Sequence, residues 1–302
     1  KATAAVTTTG TAVSAAAGTP GTPWWIWPML LFITTFALGI VAVLGGVGGS
    51  VLYVPIVSSF FPFNLDFVRG AGLMVALSGA LAAGPGLLKL NLASLRLALP
   101  VALIASIFSV LGALVGLALP NNVVQTALGV LIILISVLFI VSKNTEFPQI
   151  GGSDKLARFL GIGGTYYERS SDKTIDWSVW RTPQGFLLFT AIGVMAGMFG
   201  VGAGWANVPV LNLLMGAPLK VAVGTSKFLL SITDTSAAWV YLNQGAVLPL
   251  IVVPSIVGIM LGSLVGVRLL ATAKPKVVKY LVIALLLASG LRSLLKGLGI
   301  WN

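Results

Sequence analysis

The stretch Gly46-Val-Gly-Gly-Ser-Val-Leu-Tyr-Val-Pro55 returns 154 residues later as Gly200-Val-Gly-Ala-Gly-Trp-Ala-Asn-Val-Pro209. The two copies lie at short apolar stretches, residues 48–62 and 205–216, which glycines introduce and a proline interrupts. At about 1.5 Å of rise per residue, the longer stretch reaches only about 22 Å, too short to cross a hydrocarbon core of about 30 Å at right angles. Because glycine and proline both interrupt helices, the pattern predicts two broken or re-entrant helices.

The rest of the chain has the composition of a membrane protein. Of its 302 residues, 57% are hydrophobic and 8% are charged, and the mean hydropathy is +1.04. A soluble domain carries about 25% charged residues, and a disordered chain combines high charge with low hydrophobicity, so both classes are excluded. Apolar runs of about 20 residues can cross a bilayer as helices. Eight segments are candidates for full spans: residues 24–44, 67–83, 97–119, 123–141, 185–199, 221–242, 247–270 and 277–295.

The duplication extends beyond the two short stretches. The same shift places Gly39 on Gly193, and with a small gap LGALVG at 111–116 matches LGSLVG at 261–266. We therefore expect an all-α polytopic membrane protein of about ten membrane segments, eight full spans and two short broken helices, in a five-plus-five repeat. The expected division is a weakly structured tail at 1–23, a first membrane repeat at 24–142, a linker at 143–182 with a short helix near 155–160, and a second membrane repeat at 183–302.

The distribution of basic residues favours an inverted repeat. If each short stretch crosses the membrane, the halves have five segments each and opposite orientations; otherwise they have four passes each and are parallel. With the N-terminus outside, the inverted arrangement places thirteen of the eighteen Lys and Arg residues inside, whereas the parallel one divides them 7 to 11. Since cytoplasmic loops carry excess Lys and Arg, we expect a multi-pass protein of the cell membrane with an external N-terminus and a cytoplasmic linker. Asp66 and Arg69, at the start of a span, are expected to pair at the interface.

Two missing residue types limit the chemistry. The chain has no His and no Cys, which removes thiolate nucleophiles, imidazole bases and the usual zinc ligands, so we expect neither a metal nor another cofactor. The net charge of +11 indicates cytoplasmic loops rather than nucleic-acid binding. An intramembrane enzyme would need Ser/Lys or aspartyl chemistry. Lys227 and Ser231 have the spacing of such a dyad, but no oxyanion pattern accompanies them, so we expect no enzyme.

The helix breaks are candidate anion sites. A helix that begins within the membrane directs unpaired N–H groups and the positive end of its dipole into the space before it, and glycines leave those amides uncovered. The alternative is that the glycines only allow close helix packing. Transporters built from inverted repeats bind substrate where broken helices meet, which favours a transport site. Its expected residues are Gly48, Gly49, Ser50, Gly202, Gly204 and Asn207.

Further candidates lie in GTSKFLLSITD at 224–234, after the second break. Lys227 and Asp234 are seven residues apart, which places them on one helix face about 10 Å apart. Charges within a span usually face the interior and mark a pathway or a relay. Lys227 would attract an anion, and Asp234 would carry a proton. Thr225 and Ser226 would offer hydroxyl groups. The alternatives are that Lys227 extends to the membrane surface and that Asp234 pairs with a neighbour.

These motifs resemble those of the TauE/SafE sulfite exporter family. The resemblance rests on the two glycine-rich breaks ending in Val-Pro and on Ala222-Val-Gly-Thr-Ser226 after the second break, and it runs from about residue 26 to residue 298. The first half departs from the pattern, with Arg69-Gly-Ala-Gly72 where a Thr-Ser pair is common. Ser50 or Ser78 would substitute for that pair.

The resemblance implies a permease for small sulfur-containing anions, such as sulfite and organosulfonates, often in the export direction. Its partners would be that anion and the lipid bilayer, with no nucleic acid; a homodimer is left open. Two other functions stay open as well. One is a drug/metabolite-type permease for a neutral or cationic solute, whose cavity would be acidic or aromatic. The other is an anion channel that uses the breaks as a filter.

Overall fold

The computed structural model describes residues 25–44, 48–89, 93–141, 152–168, 173–270 and 275–300. The tail expected at 1–23 lies outside the described residues. Helices make up both membrane halves, and the two β-strands of the described part both lie in the linker.

Five helices precede the linker, and five helical segments follow it. The first half contains α1 (Ile26–Leu44), α2 (Gly49–Phe60), α3 (Leu65–Lys89), α4 (Leu95–Ala118) and α5 (Asn121–Val141). The linker contains α6 (Lys155–Phe159), β1 (Gly163–Glu168) and β2 (Lys173–Ser178). The second half contains α7 (Thr182–Phe199), α8 (Gly204–Pro209) with a π-helical turn (Val210–Leu214), α9 (Leu219–Asn243), α10 (Pro249–Leu270) and α11 (Pro275–Gly297).

Each of the eight long apolar runs falls on one of these helices, and the two short stretches form short helical segments. Within the described residues, four helices are both long and apolar enough to cross a membrane: Leu95–Ala118, Asn121–Leu138, Thr182–Phe199 and Pro249–Gly266. Three others, α3, α9 and α11, are 23 to 25 residues long, and Lys220, Lys227 and Asp234 lower the hydropathy of α9. The fold is therefore that of a helical polytopic membrane protein, and the number of full spans stays a prediction.

The two halves interlock. α1 packs along α10 and α4 along α7, so the first helix of each half lies against the fourth helix of the other. α3 packs on α9, and α5 packs on α11. Glycines permit the closest of these contacts, because small residues allow helix backbones to approach. A Cβ atom on Gly39 would lie 2.6 Å from the carbonyl oxygen of Ile259, and one on Gly193 would lie 2.5 Å from that of Ala105.

The linker contains more secondary structure than the solvated loop expected from its composition. The expected short helix is present as α6, and β1 and β2 form an antiparallel hairpin that the sequence pattern did not indicate. Gly163 lies opposite Ser178 and Glu168 opposite Lys173. The strands are only six residues long, and β1 begins with two glycines, which are rare in strands. The alternation of apolar and polar residues that would indicate a strand is therefore weak in this segment.

Asp154 attaches the linker to the second half. Its carboxylate accepts hydrogen bonds from the backbone N–H of Ala157 in α6 (2.8 Å), and from the N–H (2.8 Å) and hydroxyl (2.9 Å) of Thr182 in α7. Partial burial raises the pKa of Asp154, but the hydrogen bonds and the charge of Arg158 outweigh that effect and hold the pKa below its ordinary value. One side chain thus caps the starts of two helices.

Candidate functional site

The two helix breaks meet inside the protein. Gly48 is the N-cap of α2, with extended backbone angles (φ −61°, ψ 138°). Gly204 is the first residue of α8, and a Cβ atom on it would lie 3.8 Å from the Cα of Gly48. Two segments that are far apart in the sequence are therefore in contact at the points where their helices begin.

A hydrogen bond joins the two breaks. Ser50 is 2% exposed, and its hydroxyl donates to the backbone carbonyl of Val201 over 2.7 Å. Ser50 lies in the first turn of α2, and Val201 lies between α7 and α8. Because the two residues belong to opposite halves, this bond holds one break against the other.

Gly202 lies where both breaks and α9 come together. Its φ of +63° is in the left-handed region, which side chains rarely adopt, so the backbone here requires glycine. A Cβ atom on Gly202 would lie 3.0 Å from the Oγ of Ser50 and 3.1 Å from the Oδ2 of Asp234. The sequence candidates brought together by the fold are thus Gly48, Ser50, Gly202, Gly204 and Asp234.

Asp234 is buried on α9, and the described residues provide no partner for its carboxylate. The residue has no exposed surface, and neither carboxylate oxygen has a hydrogen-bond partner within the described part of the chain. The ion pair found within the described residues joins Arg69 to Asp66 and does not involve Asp234. An unpaired buried carboxylate is costly in its ionised form. Three or more acidic residues do not cluster in the described part of the chain, so no metal-binding group surrounds it there.

The other three candidates on α9 lie closer to its start. The hydroxyl of Thr225 accepts a hydrogen bond from the N–H of Ser94, the residue before α4, over 3.1 Å. Thr225 and Ser226 are buried, and Lys227 is half-buried. At about 1.5 Å per residue, Thr225 lies roughly 13 Å and Lys227 roughly 10 Å from Asp234 along the helix. These three residues lie on α9 before Leu230, whose side chain would be 3.2 Å from a Cβ atom on Gly204, and their part in the site stays a prediction.

Polar atoms on α8 are also buried and unpaired. Asn207 is 1% exposed, and its Oδ1 has no partner among the residues that the structure describes; the same holds for the Nε1 of Trp205. Tyr53, the residue matched to Asn207 by the repeat, is buried on α2 with its hydroxyl 3.2 Å from the Oγ of Ser255. The second break thus leaves an acceptor and a donor unsatisfied inside the protein, whereas the matched residue of the first half has a partner.

The hydroxyl hydrogen of Ser231 does not point towards Lys227, as it would have to in a catalytic Ser/Lys dyad. Its hydroxyl donates to the backbone carbonyl of Phe228 over 2.7 Å. Helical serines commonly make this local bond. The contact gives no support to a Ser/Lys nucleophile.

A sequence profile described as "Sulfite exporter TauE/SafE" matches residues 31–293. The chain belongs to the TauE/SafE family. The match includes both helix breaks and the linker between the halves. The resemblance expected from the glycine-rich motifs is therefore confirmed over most of the chain.

Two curated relatives of this TauE/SafE chain are named as membrane transporters. "Probable membrane transporter protein YunE" of Bacillus subtilis (strain 168) is 21% identical over 277 residues, which cover 89% of this chain and 98% of that protein. "Probable membrane transporter protein ORF9" of Sinorhizobium sp is 26% identical over 266 residues, 87% of this chain and 91% of that protein. No solved structure matches the chain. Together with the apolar helices, these similarities make the chain a membrane-integral transporter.

Arg69 is the residue of this TauE/SafE protein whose position the sequence did not predict. It pairs with Asp66 as expected, and its side chain is fully buried inside the protein. Its guanidinium donates to the carbonyl of Met198 at the end of α7 (2.8 Å) and to that of Gly116 at the end of α4 (3.1 Å). Arg69 therefore fixes the helix that leads into the second break. The sequence feature that could have drawn attention to Arg69 is its place in the first-half segment that departs from the TauE/SafE pattern.

Proposed function

We propose that the protein transports small sulfur-containing anions, such as sulfite or organosulfonates, across the cell membrane by alternating access around its two helix breaks. The observation that carries the proposal is the contact between the breaks, made by the hydrogen bond from Ser50 to the carbonyl of Val201. Transporters with repeated halves bind substrate where broken helices meet. The choice of sulfur anions rests on family membership, since the family is described as one of sulfite exporters.

The pattern of helix contacts supports a five-plus-five repeat. When the halves are exchanged, the contact of α1 with α10 becomes that of α7 with α4, and both contacts are present. The contacts of α3 with α9 and of α5 with α11 are unchanged by the exchange. A pseudo-two-fold axis between the halves would produce this pattern. In the proposed arrangement, α2 and α8 also cross the membrane, and the halves have opposite orientations.

Close packing does not explain every glycine at the breaks. A Cβ atom on Gly49 would lie 3.1 Å from the side chain of Ile259, so a larger residue would be crowded there. Around Gly48, the nearest described atom would be the Cγ2 of Val51 at 3.8 Å, an ordinary contact. We therefore assign Gly48 to binding: it leaves the amides at the start of α2 uncovered, beside the Ser50 hydroxyl.

The second half, which includes α9, completes the proposed site. Glycines at the second break expose backbone amides, and the charged residues of α9 act over a longer range. Lys227 supplies positive potential along the path of the anion, and Asp234 carries a coupled proton. The proposed contributors from this half are Gly202, Gly204, Asn207, Thr225, Ser226, Lys227 and Asp234.

Uptake into proteoliposomes tests the proposal. The purified protein is reconstituted and assayed with sulfite, sulfate, thiosulfate, taurine and sulfoacetate. We expect saturable uptake of at least one sulfur anion, and counterflow, in which internal unlabelled substrate accelerates the entry of labelled substrate. Empty liposomes and liposomes that contain heat-denatured protein are the controls.

The same assay distinguishes the competing functions. A conductance that rises without saturation and shows no counterflow would favour an anion channel. Transport of neutral or cationic solutes with no uptake of the five sulfur compounds would favour a drug/metabolite-type permease. Either result would reject the proposed function.

A further inference from the structure

We infer that Asp234 holds one proton while the anion is bound, so that each anion crosses the membrane together with one proton. This inference rests on the proposed function. It adds the direction of coupling, which is symport, and the number of protons.

The hydrogen-bonding groups next to Asp234 favour the protonated form of its carboxyl group. The Oδ2 of Asp234 and the Oγ of Ser50 lie on the same side of Gly202, 3.1 and 3.0 Å from the position of a Cβ atom there. Ser50 already donates its hydrogen to the carbonyl of Val201, so that hydrogen is not available to Asp234. Both oxygens of Asp234 are buried, and neither has a partner among the described groups. An ionised carboxylate only accepts hydrogen bonds, whereas a protonated one also donates.

No cation contacts Asp234 among the described side chains. Lys227 acts on it electrostatically, but from roughly 10 Å along the same helix. α7, α8 and the π-helical turn contain no ionisable residue. The other described ionisable groups on α9 and on the helices packed against it do not contact Asp234. Arg69 pairs with Asp66, and Tyr241 donates to the carbonyl of Gly197. Arg96 is exposed at the start of α4, and Lys220 lies in the first turn of α9.

An anion at the breaks would be close to this carboxyl group, because Gly202 belongs to the second break. Two like charges about 4 Å apart, at an effective dielectric constant of about 20, weaken each other's binding by about a thousandfold. A proton on Asp234 removes that repulsion and supplies a donor to the anion. The neutral form is therefore the one that binds, and the affinity for the anion falls as pH rises and Asp234 loses its proton.

The proton number follows from the asymmetry of the repeat. The position matched to Asp234 in the first half is Ala80. The other acidic residue on the described helices of the two halves, Asp66, is already bound to Arg69. One carboxyl group is thus available for one proton in each cycle. For a sulfonate with a single negative charge, the combined movement carries no net charge.

Methanesulfonate is the probe for this inference, because its charge does not change over the usable pH range. Its uptake by wild-type proteoliposomes is measured from mildly acidic to mildly alkaline pH, with imposed pH gradients and with membrane potentials set by potassium and valinomycin. We expect the apparent affinity to fall at least tenfold towards alkaline pH. We also expect an inward proton gradient to drive accumulation, and the potential to leave the rate unchanged.

Asp234→Asn keeps a neutral side chain but cannot release a proton. In this variant the apparent affinity should no longer change with pH, and a proton gradient should no longer drive accumulation. Asp176→Asn is the matched control, since it makes the same chemical change at an exposed position of β2. It should retain the pH and gradient responses of the wild type.

The outcomes separate this inference from the proposed function. Three results for wild-type uptake would overturn the inference and leave the proposed function standing. The affinity could be independent of pH, the rate could depend on the membrane potential, or a sodium gradient could drive uptake at constant pH. Absence of saturable uptake for methanesulfonate and for every anion of the panel would overturn both. If Asp234→Asn does not reach the membrane, the pH and potential dependence of the wild type decides the question.

Discussion

Gly48 and Gly202 are matched by the repeat, but they are glycines for different reasons. Gly202 has a φ of +63°, which a side chain would strain. Gly48 has a φ of −61°, which any residue adopts, and a methyl group there would meet only ordinary contacts among the described atoms. Stability therefore requires glycine at 202 but not at 48. A substitution at Gly48 can consequently separate anion binding from packing.

We predict that Gly48→Ala lowers anion affinity several-fold with little loss of stability. The methyl group would cover the amides at the start of α2, while alanine at a helix N-cap costs only about 0.5–1 kcal/mol. The measurements are the KM for uptake and the midpoint of thermal denaturation in detergent. Gly79→Ala on α3 is the control, because a Cβ there would have no described neighbour within 4 Å. If Gly48→Ala transports as well as the wild type, these amides do not bind the substrate.

We predict that Lys227→Gln reduces the initial rate of sulfite uptake about tenfold at low substrate concentration, since a loss of about 1.4 kcal/mol of attraction changes binding by a factor of ten. Lys227 is half-buried and unpaired with Asp234, so its charge can act on an anion in the pathway. Lys227→Arg should retain most of the activity. Equal kinetics in Lys227→Gln and the wild type would mean that the side chain only extends to the membrane surface.

At the scale of elements, glycines set how closely the two halves approach. The contact of α4 with α7 places Gly197 against the backbone of α4, where a Cβ atom would overlap the carbonyl oxygen of Ser109 and lie 3.0 Å from the N of Ala113. Backbone atoms cannot move aside as a flexible side chain can. This interface joins the first helix of one half to the fourth helix of the other, so its spacing determines the position of the second break.

We predict that Gly197→Ala destabilises the protein by about 1–3 kcal/mol, the usual cost of overpacking. The thermal midpoint in detergent should fall by several degrees, together with the yield of monodisperse protein. In Gly79→Ala, an added methyl group within a helix and without crowding should leave the midpoint unchanged or raise it. If both variants melt like the wild type, the helices adjust their spacing freely and the interface does not position the break.

The elements that the sequence predicted are those with a strong local signal. The breaks at α2 and α8 carry glycines and a proline, and Asp234 is conspicuous as an acid within an apolar run. The burial of Arg69 was not predictable, because its carbonyl partners lie 47 and 129 residues away on other helices. The bond from Ser50 to Val201 spans 151 residues and likewise depends on the packing of the halves. One-dimensional periodicity identifies helices but does not give contacts between them.

At the scale of the whole molecule, the orientation of the halves decides whether alternating access is available. The contacts of α1 with α10 and of α4 with α7 are related by exchange of the halves, as a pseudo-two-fold axis requires. Oppositely oriented halves can exchange shapes, and the site then opens to the other side of the membrane. The distribution of Lys and Arg favours this arrangement, and a chemical test can be made because the chain contains no cysteine.

We predict that Gln244→Cys and Asn122→Cys react with a membrane-impermeant maleimide from outside the cell, and that Phe159→Cys reacts only in inside-out vesicles. All three residues are exposed in the structure. Asn122 calibrates the assay, because both arrangements place it opposite the linker, which contains Phe159. Gln244, in the turn between α9 and α10, discriminates: an inverted repeat puts it opposite the linker, and a parallel repeat puts it on the same side. Labelling of Gln244→Cys from the linker side would mean that α8 does not cross the membrane, and the proposed exchange between two oppositely oriented halves would fail.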